Sequence, residues 1–320
     1  MIILGISCYY HDSAASLIID GEIVASVQEE RFTRKKHDPS FPVNSIKYCL
    51  SFAKINLSDV DKITFYEDPS LKYSRLIKTY KDFFPKSISL IFKTYYNWST
   101  KKRFWKKVLI KEFKKNFNNE LSDSLFYNTE HHLSHAASAF YPSKFSQSAI
   151  LVMDGVGEFA TTSIWKGYKN NLKLIKQIDF PHSIGLLYSA ITYYTGFRVN
   201  SGEYKVMGLA PYGRPVYKEK ILKNLININS DGSYELNMDY FSFPYSDYMT
   251  NEKFNNLFGG PAREPETIVT QKEMDLARSV QEVVEEVVIK LSKYALKVCE
   301  TDNLCLAGGV ALNCVANGKI

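Results

Sequence analysis

A chain of 320 residues, 45% hydrophobic and 23% charged, is long enough to bury a sizeable core and is composed like a soluble globular enzyme. No apolar run approaches the roughly 20 residues of a bilayer span. The first residues read straight into a strand, with no basic leader or cleavable apolar segment expected ahead of it. The five cysteines are odd in number and lack paired spacing, which excludes a disulfide framework or zinc knuckle and suits a reducing cytoplasm.

Three consecutive strands open the chain: Ile2 to Ser7, Ala14 to Ile19, and Glu22 to Gln28 after the turn at Asp20-Gly21. A charged loop, Glu29 to Asp38, leads to a helix starting near Pro42, and Asp61 to Tyr66 reads as another strand. The net charge of +6 then proves uneven. Leu71 to Asn118 holds fourteen Lys or Arg against Asp82 and Glu112, a local +12 that leaves −6 for the remainder. Phe83, Phe84, Trp98, Phe104 and Trp105 lie in the same stretch. Two readings stand there: a surface for an anionic partner (a phosphorylated acceptor, nucleic acid or an anionic membrane), or amphipathic helices with solvated lysines and inward aromatics. Neutralising Lys101, Lys102 and Arg103 separates them.

A second strand set follows: Ala149 to Met153, Thr161 to Gly167 and Leu172 to Phe180, then a helix over Ile184 to Thr195. The order β-β-β-α thus occurs twice, an α/β pattern that predicts two lobes, residues 1–147 and 148–320, related by pseudo-symmetry with a central cleft. Arg198 to Gly213 reads as a loop and Asn227 to Pro265 as irregular. Gln271 to Val298 is a long helix with an apolar stripe through Leu276, Val280, Val283, Val284, Val287 and Val288. Asn303 to Ala307 is a short strand meeting Gly308-Gly309, where a new helix is expected to begin. The chain stops at Ile320 in mid-element, so the second lobe is expected to be truncated.

Three of the six histidines cluster in Glu130-His131-His132-Leu133-Ser134-His135. On a helix His131 and His135 share a face and can grip one metal, whereas His132 points roughly 100° away. A helix N-terminus with hydrogen-bonded histidines is the alternative. The zinc-peptidase pattern is absent, because His132 stands where the general-base glutamate would be. Asp154 closes the strand ending at Met153, where carboxylates of α/β sheets meet ligands, although an Asp-Gly turn is also common there. Two histidines and a carboxylate leave positions open for water, as in sites built for Fe(II), with Zn or Mg as alternatives. The glycines at Gly308-Gly309 let a backbone approach a phosphate or ribose, but match neither the P-loop nor the dinucleotide fingerprint. His11, beside Asp12 at the first strand–strand turn, can shuttle a proton or simply cap the turn.

With these residues in view the chain resembles the O-carbamoyltransferases of nodulation-factor and antibiotic biosynthesis. The resemblance lies in Tyr10-His11-Asp12-Ser13-Ala14-Ala15, Glu29-Glu30-Arg31-Phe32, His131-His132-Leu133-Ser134-His135-Ala136 and Met153-Asp154-Gly155-Val156-Gly157-Glu158. It continues through Gly202-Glu203-Tyr204-Lys205-Val206-Met207-Gly208-Leu209-Ala210 and Gly308-Gly309-Val310-Ala311-Leu312-Asn313, in the family's order. It implies a fold of the actin, Hsp70 and sugar-kinase type and kinship with the transfer-RNA threonylcarbamoyl enzymes. It further implies transfer of a carbamoyl group from carbamoyl-adenylate to a hydroxyl of a small-molecule or sugar acceptor. It implies, too, a C-terminal domain, expected to be missing from this chain, that makes that donor from carbamoyl phosphate and ATP. By the same resemblance His131, His135 and Asp154 are metal ligands; Gly308, Gly309, Val310 and Asn313 lie near the adenylate; and His11 serves the transfer step. A further metal-binding aspartate of the family falls beyond Ile320. A homodimer stays open. The rivals are a transfer-RNA-directed enzyme, which salt-sensitive RNA binding would reveal, and a non-catalytic nucleotide-binding module.

Overall fold

Leu4 and Ile6 are buried while their neighbours are half-buried, the two-residue period of a strand with one tightly packed face, β1 (Ile2–Ser7). In the computed structural model, which describes residues 1–100 and 104–320, β1 pairs antiparallel with β2 (Ala14–Ile19) and β2 with β3 (Glu22–Gln28). A short α1 (Glu30–Thr33) and α2 (Val43–Ala53) precede β4 (Lys62–Phe65), which returns parallel to β1. The basic stretch is helical: α3 (Pro69–Asp82), α4 (Ile88–Thr100) and α5 (Trp105–Phe117). Lys101, Lys102 and Arg103 lie outside the described residues. Then β5 (Phe126–Asn128) pairs parallel with β4, giving the order β3-β2-β1-β4-β5.

After α6 (His131–Phe140) the pattern repeats. β6 (Gln147–Met153), β7 (Ala160–Tyr168) and β8 (Asn171–Asp179) form an antiparallel set, followed by α7 (Ile184–Tyr194). Next come α8 (Glu203–Leu209), α9 (Lys218–Asn224), the hairpin of β9 (Ile226–Ile228) and β10 (Tyr234–Leu236), and α10 (Glu252–Leu257). The long α11 (Gln271–Cys299) leads to β11 (Leu304–Ala307), parallel to β6, and to a four-residue α12 (Cys314–Asn317). The second sheet runs β11-β6-β7-β8. In each sheet the first strand of the repeat lies between its antiparallel hairpin partner and a parallel strand that follows a helix. This is a duplicated β-β-β-α architecture, as the repeated pattern in the sequence predicts.

Two compact units result, Met1–Tyr73 with Lys93–Ser134, and Ser74–Phe92 with His135–Ile320. In the first, α2 and α5 supply apolar faces to the sheet. Phe113 meets Phe41 edge to face at 5.1 Å, and Trp105 stacks on Phe65 at 5.4 Å. The start of α2 is held by buried Glu29, whose carboxylate accepts from the Asn44 and Ser45 backbone N–H groups, the Asn44 amide and the Ser45 hydroxyl at 2.7–3.1 Å. In the second unit β6 is buried on both faces, and the predicted stripe of α11 from Leu276 to Val288 is buried throughout. A Thr270–Glu273 capping box starts that helix.

Three local readings change. Arg198 to Gly213 contains α8, because Glu203 gathers the Asn200 and Gly202 N–H groups and the Ser189 hydroxyl, closing the turn ahead of a helix that buries Val206. Asn227 to Pro265 holds the β9–β10 hairpin and α10, organised around fully buried Phe241 and Phe254. The helix expected directly after Gly309 is a single 3₁₀ turn, Gly309–Leu312, before α12. No helix among the described residues is long and apolar enough to cross a membrane.

Glu29→Ala strands four donors around the α2 N-terminus and is expected to lower stability by about 2–4 kcal/mol, read from the urea midpoint, with Glu29→Gln costing clearly less.

Candidate functional site

The parallel register between β11 and β6 sets Ala307 beside Val152, so the chain leaving β11 runs alongside the chain leaving β6. The approach is close. A Cβ on Gly308 would lie 2.3 Å from the Met153 carbonyl oxygen, and its φ of 89° disfavours any side chain. The Gly309 N–H therefore donates to Asp154 Oδ1 at 3.2 Å, joining two sequence-predicted sites that lie 155 residues apart. On the other side of Asp154, Gly185 fits where a Cβ would sit 2.6 Å from the Asp154 carbonyl oxygen. Ser183, buried at the N-cap of α7, donates to the Gly155 carbonyl at 2.7 Å.

The Asp154 carboxylate faces His135, with Nε2 3.6 Å from Oδ2 and both side chains mostly buried. His131 stands one turn earlier on α6. Ser134 fixes this helix by donating to the Tyr66 carbonyl at 2.8 Å, and the Tyr66 ring meets His131 edge-on at 5.6 Å. Burial pushes the Tyr66 hydroxyl well above the usual phenol range, so this neighbour stays neutral. His132, next to His131 on α6, is buried. An imidazole facing a carboxylate, both partly buried, with a second imidazole one helical turn along, is a donor set that fits a divalent ion.

The glycine junction is organised from beneath. Asn313 is buried, and its amide exchanges hydrogen bonds with Gln281 at 2.9 and 3.0 Å while its oxygen caps α12 at Ala316. Gln281 in turn accepts from the Tyr188 hydroxyl and donates to Glu285. The Asn313 carboxamide is thus committed to holding the segment from Gly308 to Leu312 in place. Val310 packs against the core and Gly309 is exposed. Sequence reading missed Gln281; a lone glutamine on the buried valine stripe of α11 was the available signal.

His11 lies in the first unit, in the loop between β1 and β2. Asp12 is clamped between two imidazoles: His11 Nδ1 at 2.7 Å from Oδ2, and His37 Nδ1 at 3.0 Å from Oδ1. Asp12 and His37 both have left-handed backbones, with φ of 50° and 58°. Such conformations cost energy and persist where surrounding contacts enforce them. Here Ser13 N–H donates to the Asp38 carbonyl and His37 N–H to Glu30. An aspartate accepting from Nδ1 leaves Nε2 of a neutral His11 as a proton acceptor, with the ring half exposed. His37, 25 residues from Asp12 in sequence, had no local signal.

A family model described as the carbamoyltransferase N-terminus matches residues 2–320. The chain is 55% identical over 320 residues to protein sll1178 of Synechocystis, covering 99% of this chain and 52% of that one. It is 34% identical over 312 residues to the nodulation protein NolNO of Sinorhizobium fredii, covering 98% of this chain and 42% of the relative. Among solved structures, the activator of the 2-hydroxyisocaproyl-CoA dehydratase from Clostridium difficile aligns with 100% of this chain and 84% of its own, at 12% identity and a TM-score of 0.45. The chain spans about half the length of the curated relatives it matches.

Gly308→Ala combines a forbidden backbone with a clash against main chain and is expected to cost at least about 2 kcal/mol. Gly208→Ala, in α8 with open space around it, is expected to raise stability by up to about 1 kcal/mol in the same denaturation series.

Proposed function

The chain belongs to the carbamoyltransferase family, and we propose that its residues carry the acyl-transfer half of that chemistry, moving a carbamoyl group from carbamoyl-adenylate to a hydroxyl of a small-molecule or sugar acceptor. The observation that supports this most is the convergence of His135 and Gly309 on Asp154 at the end of β6. Synthesis of the carbamoyl-adenylate from carbamoyl phosphate and ATP, with release of pyrophosphate, is assigned to the region of the longer relatives outside the matched residues.

A carbamoyl-adenylate is a mixed anhydride, so AMP is a good leaving group and the protein's tasks are positioning, water exclusion and charge stabilisation. His11, oriented by Asp12, is the proposed base. The acceptor oxygen bonds to the carbamoyl carbon, its proton passes to Nε2 of His11, and the bond from that carbon to the phosphate oxygen breaks as AMP departs with the electron pair. Gly308, Gly309 and Val310 offer a backbone that the adenylate can approach, and Asn313 positions that segment through Gln281. His131, His135 and Asp154 would hold a divalent ion, Fe(II) by preference with Zn or Mg as alternatives. When bound, it supplies Lewis-acid stabilisation of a phosphate or carbonyl oxygen.

The test uses the full-length protein with ATP, with and without carbamoyl phosphate. Pyrophosphate and an AMP-containing product are expected only when carbamoyl phosphate is present; release independent of it overturns the proposal. His11→Ala is expected to keep pyrophosphate release while transfer to an added acceptor falls about 10²–10⁴-fold. His135→Ala is expected to lose metal by elemental analysis at least about tenfold, and unchanged metal content removes it from the ligand set.

A further inference from the structure

The basic helices divide into two kinds. On α5 the aromatics turn inward, as Phe113 and Trp105 do, and Lys107, Lys111 and Lys114 are solvated. On α4 apolar side chains face outward. Ile88, Phe92 and Tyr95, spaced four and three residues apart on one helix face, are 42%, 82% and 49% exposed, and Phe84 in the preceding turn is 66% exposed. Isolated exposed hydrophobics are ordinary on a protein surface, whereas a run along one helix face is a patch that an interaction would cover. The turn beneath it is firmly seated. The Phe83 ring lies 5.7 Å from that of Tyr245, Lys86 Nζ sits 5.4 Å from the same ring, and buried Ser87 donates to the Tyr80 carbonyl at 2.6 Å. Phe84 is therefore held outward while its neighbour is anchored.

Charge indicates what covers the patch. From Phe83 to Ile110 the sequence contains no aspartate or glutamate, and Lys78 (paired with Asp82), Lys81, Lys86 and Lys93 are exposed in the same stretch of chain. We propose that α4 and the turn before it dock the protein on an anionic lipid surface, with Phe84, Ile88 and Phe92 entering the headgroup–acyl boundary and the flanking lysines meeting lipid phosphates. An isoleucine and two phenylalanines at helical spacing gain from an apolar phase, while a polynucleotide would engage chiefly the lysines. Such docking places the protein beside amphipathic or lipid-borne acceptors, independently of how the carbamoyl group is transferred.

The full-length protein is sedimented with phosphatidylcholine vesicles containing about 30% phosphatidylglycerol, and with phosphatidylcholine alone. At least about tenfold stronger binding to the anionic vesicles is expected, weakening with salt. The Phe84→Ser/Phe92→Ser variant changes exposed residues, so it is expected to fold, confirmed by an unchanged melting temperature. It should lose about tenfold in vesicle binding while carbamoyl-phosphate-dependent pyrophosphate release is unchanged. Lys78→Gln/Lys81→Gln/Lys86→Gln should lose the preference for anionic vesicles. Equal sedimentation with both vesicle types, full binding by the phenylalanine variant, or tighter retention on a single-stranded RNA oligomer than on anionic vesicles would each overturn the proposal.

Discussion

Between the ends of β6 and β11 there is no room for a side chain: a methyl group on Gly308 would lie 2.3 Å from the Met153 carbonyl oxygen. That closeness comes from parallel pairing of two strands separated by more than 150 residues, and the local arrangement depends on it. It brings the Gly309 N–H to Asp154, whose other carboxylate oxygen is left facing His135. The same carboxylate could not serve both if β11 slipped by one residue, since a slip exchanges the two faces of a strand. Behind the loop, the buried chain of Tyr188, Gln281 and Asn313 holds the junction from the core side. A buried amide pair of this kind is stable only when each of its groups is satisfied, which ties the loop's position to that of α11.

The duplication explains why chemistry-bearing residues stand where they do. The loop leaving β1 and the loop leaving β6 are equivalent points in two sheets that share a four-strand order (the first adds β5), each connecting the first strand of a repeat to its antiparallel partner. One carries His11 and Asp12, the other Asp154 and Gly155. In the first unit the loop is kept in an unfavourable conformation, with Tyr9 and Asp12 both at positive φ, by main-chain bonds from Tyr9 to Pro39 and from Ser13 to Asp38. Asp12 gains two imidazole partners from that geometry. Strain of this sort is retained where its surroundings over-determine it.

The basic stretch shows how little composition says about role. Helices α4 and α5 are both rich in aromatics, yet Trp105 and Phe113 belong to a core while Phe92 stands in solvent. β4 and β5 present Phe65 and Phe126 to α5, and those rings cover its apolar face.

Much of the architecture was legible residue by residue. β1, β2 and β3 begin and end where alternation and the Asp20-Gly21 turn place them, and α11 follows its valine stripe. These signals are local, since a period of two or 3.6 residues and a turn dipeptide act within a few positions of themselves. The histidine pair on α6 was legible for the same reason, because four residues make one helical turn. The helix at Glu203 was not, as it forms through a carboxylate that collects donors from Ser189, Asn200 and Gly202. Nor could local pattern reveal that Asn313 is spent on Gln281, that Asp12 is shared with His37, or that Gly309 reaches Asp154. Each is a contact between side chains or main chain brought together by strand pairing and helix packing. Only the folded chain fixes such distances, because hydrogen bonds are decided over tenths of an ångström and sequence separation carries no information at that scale.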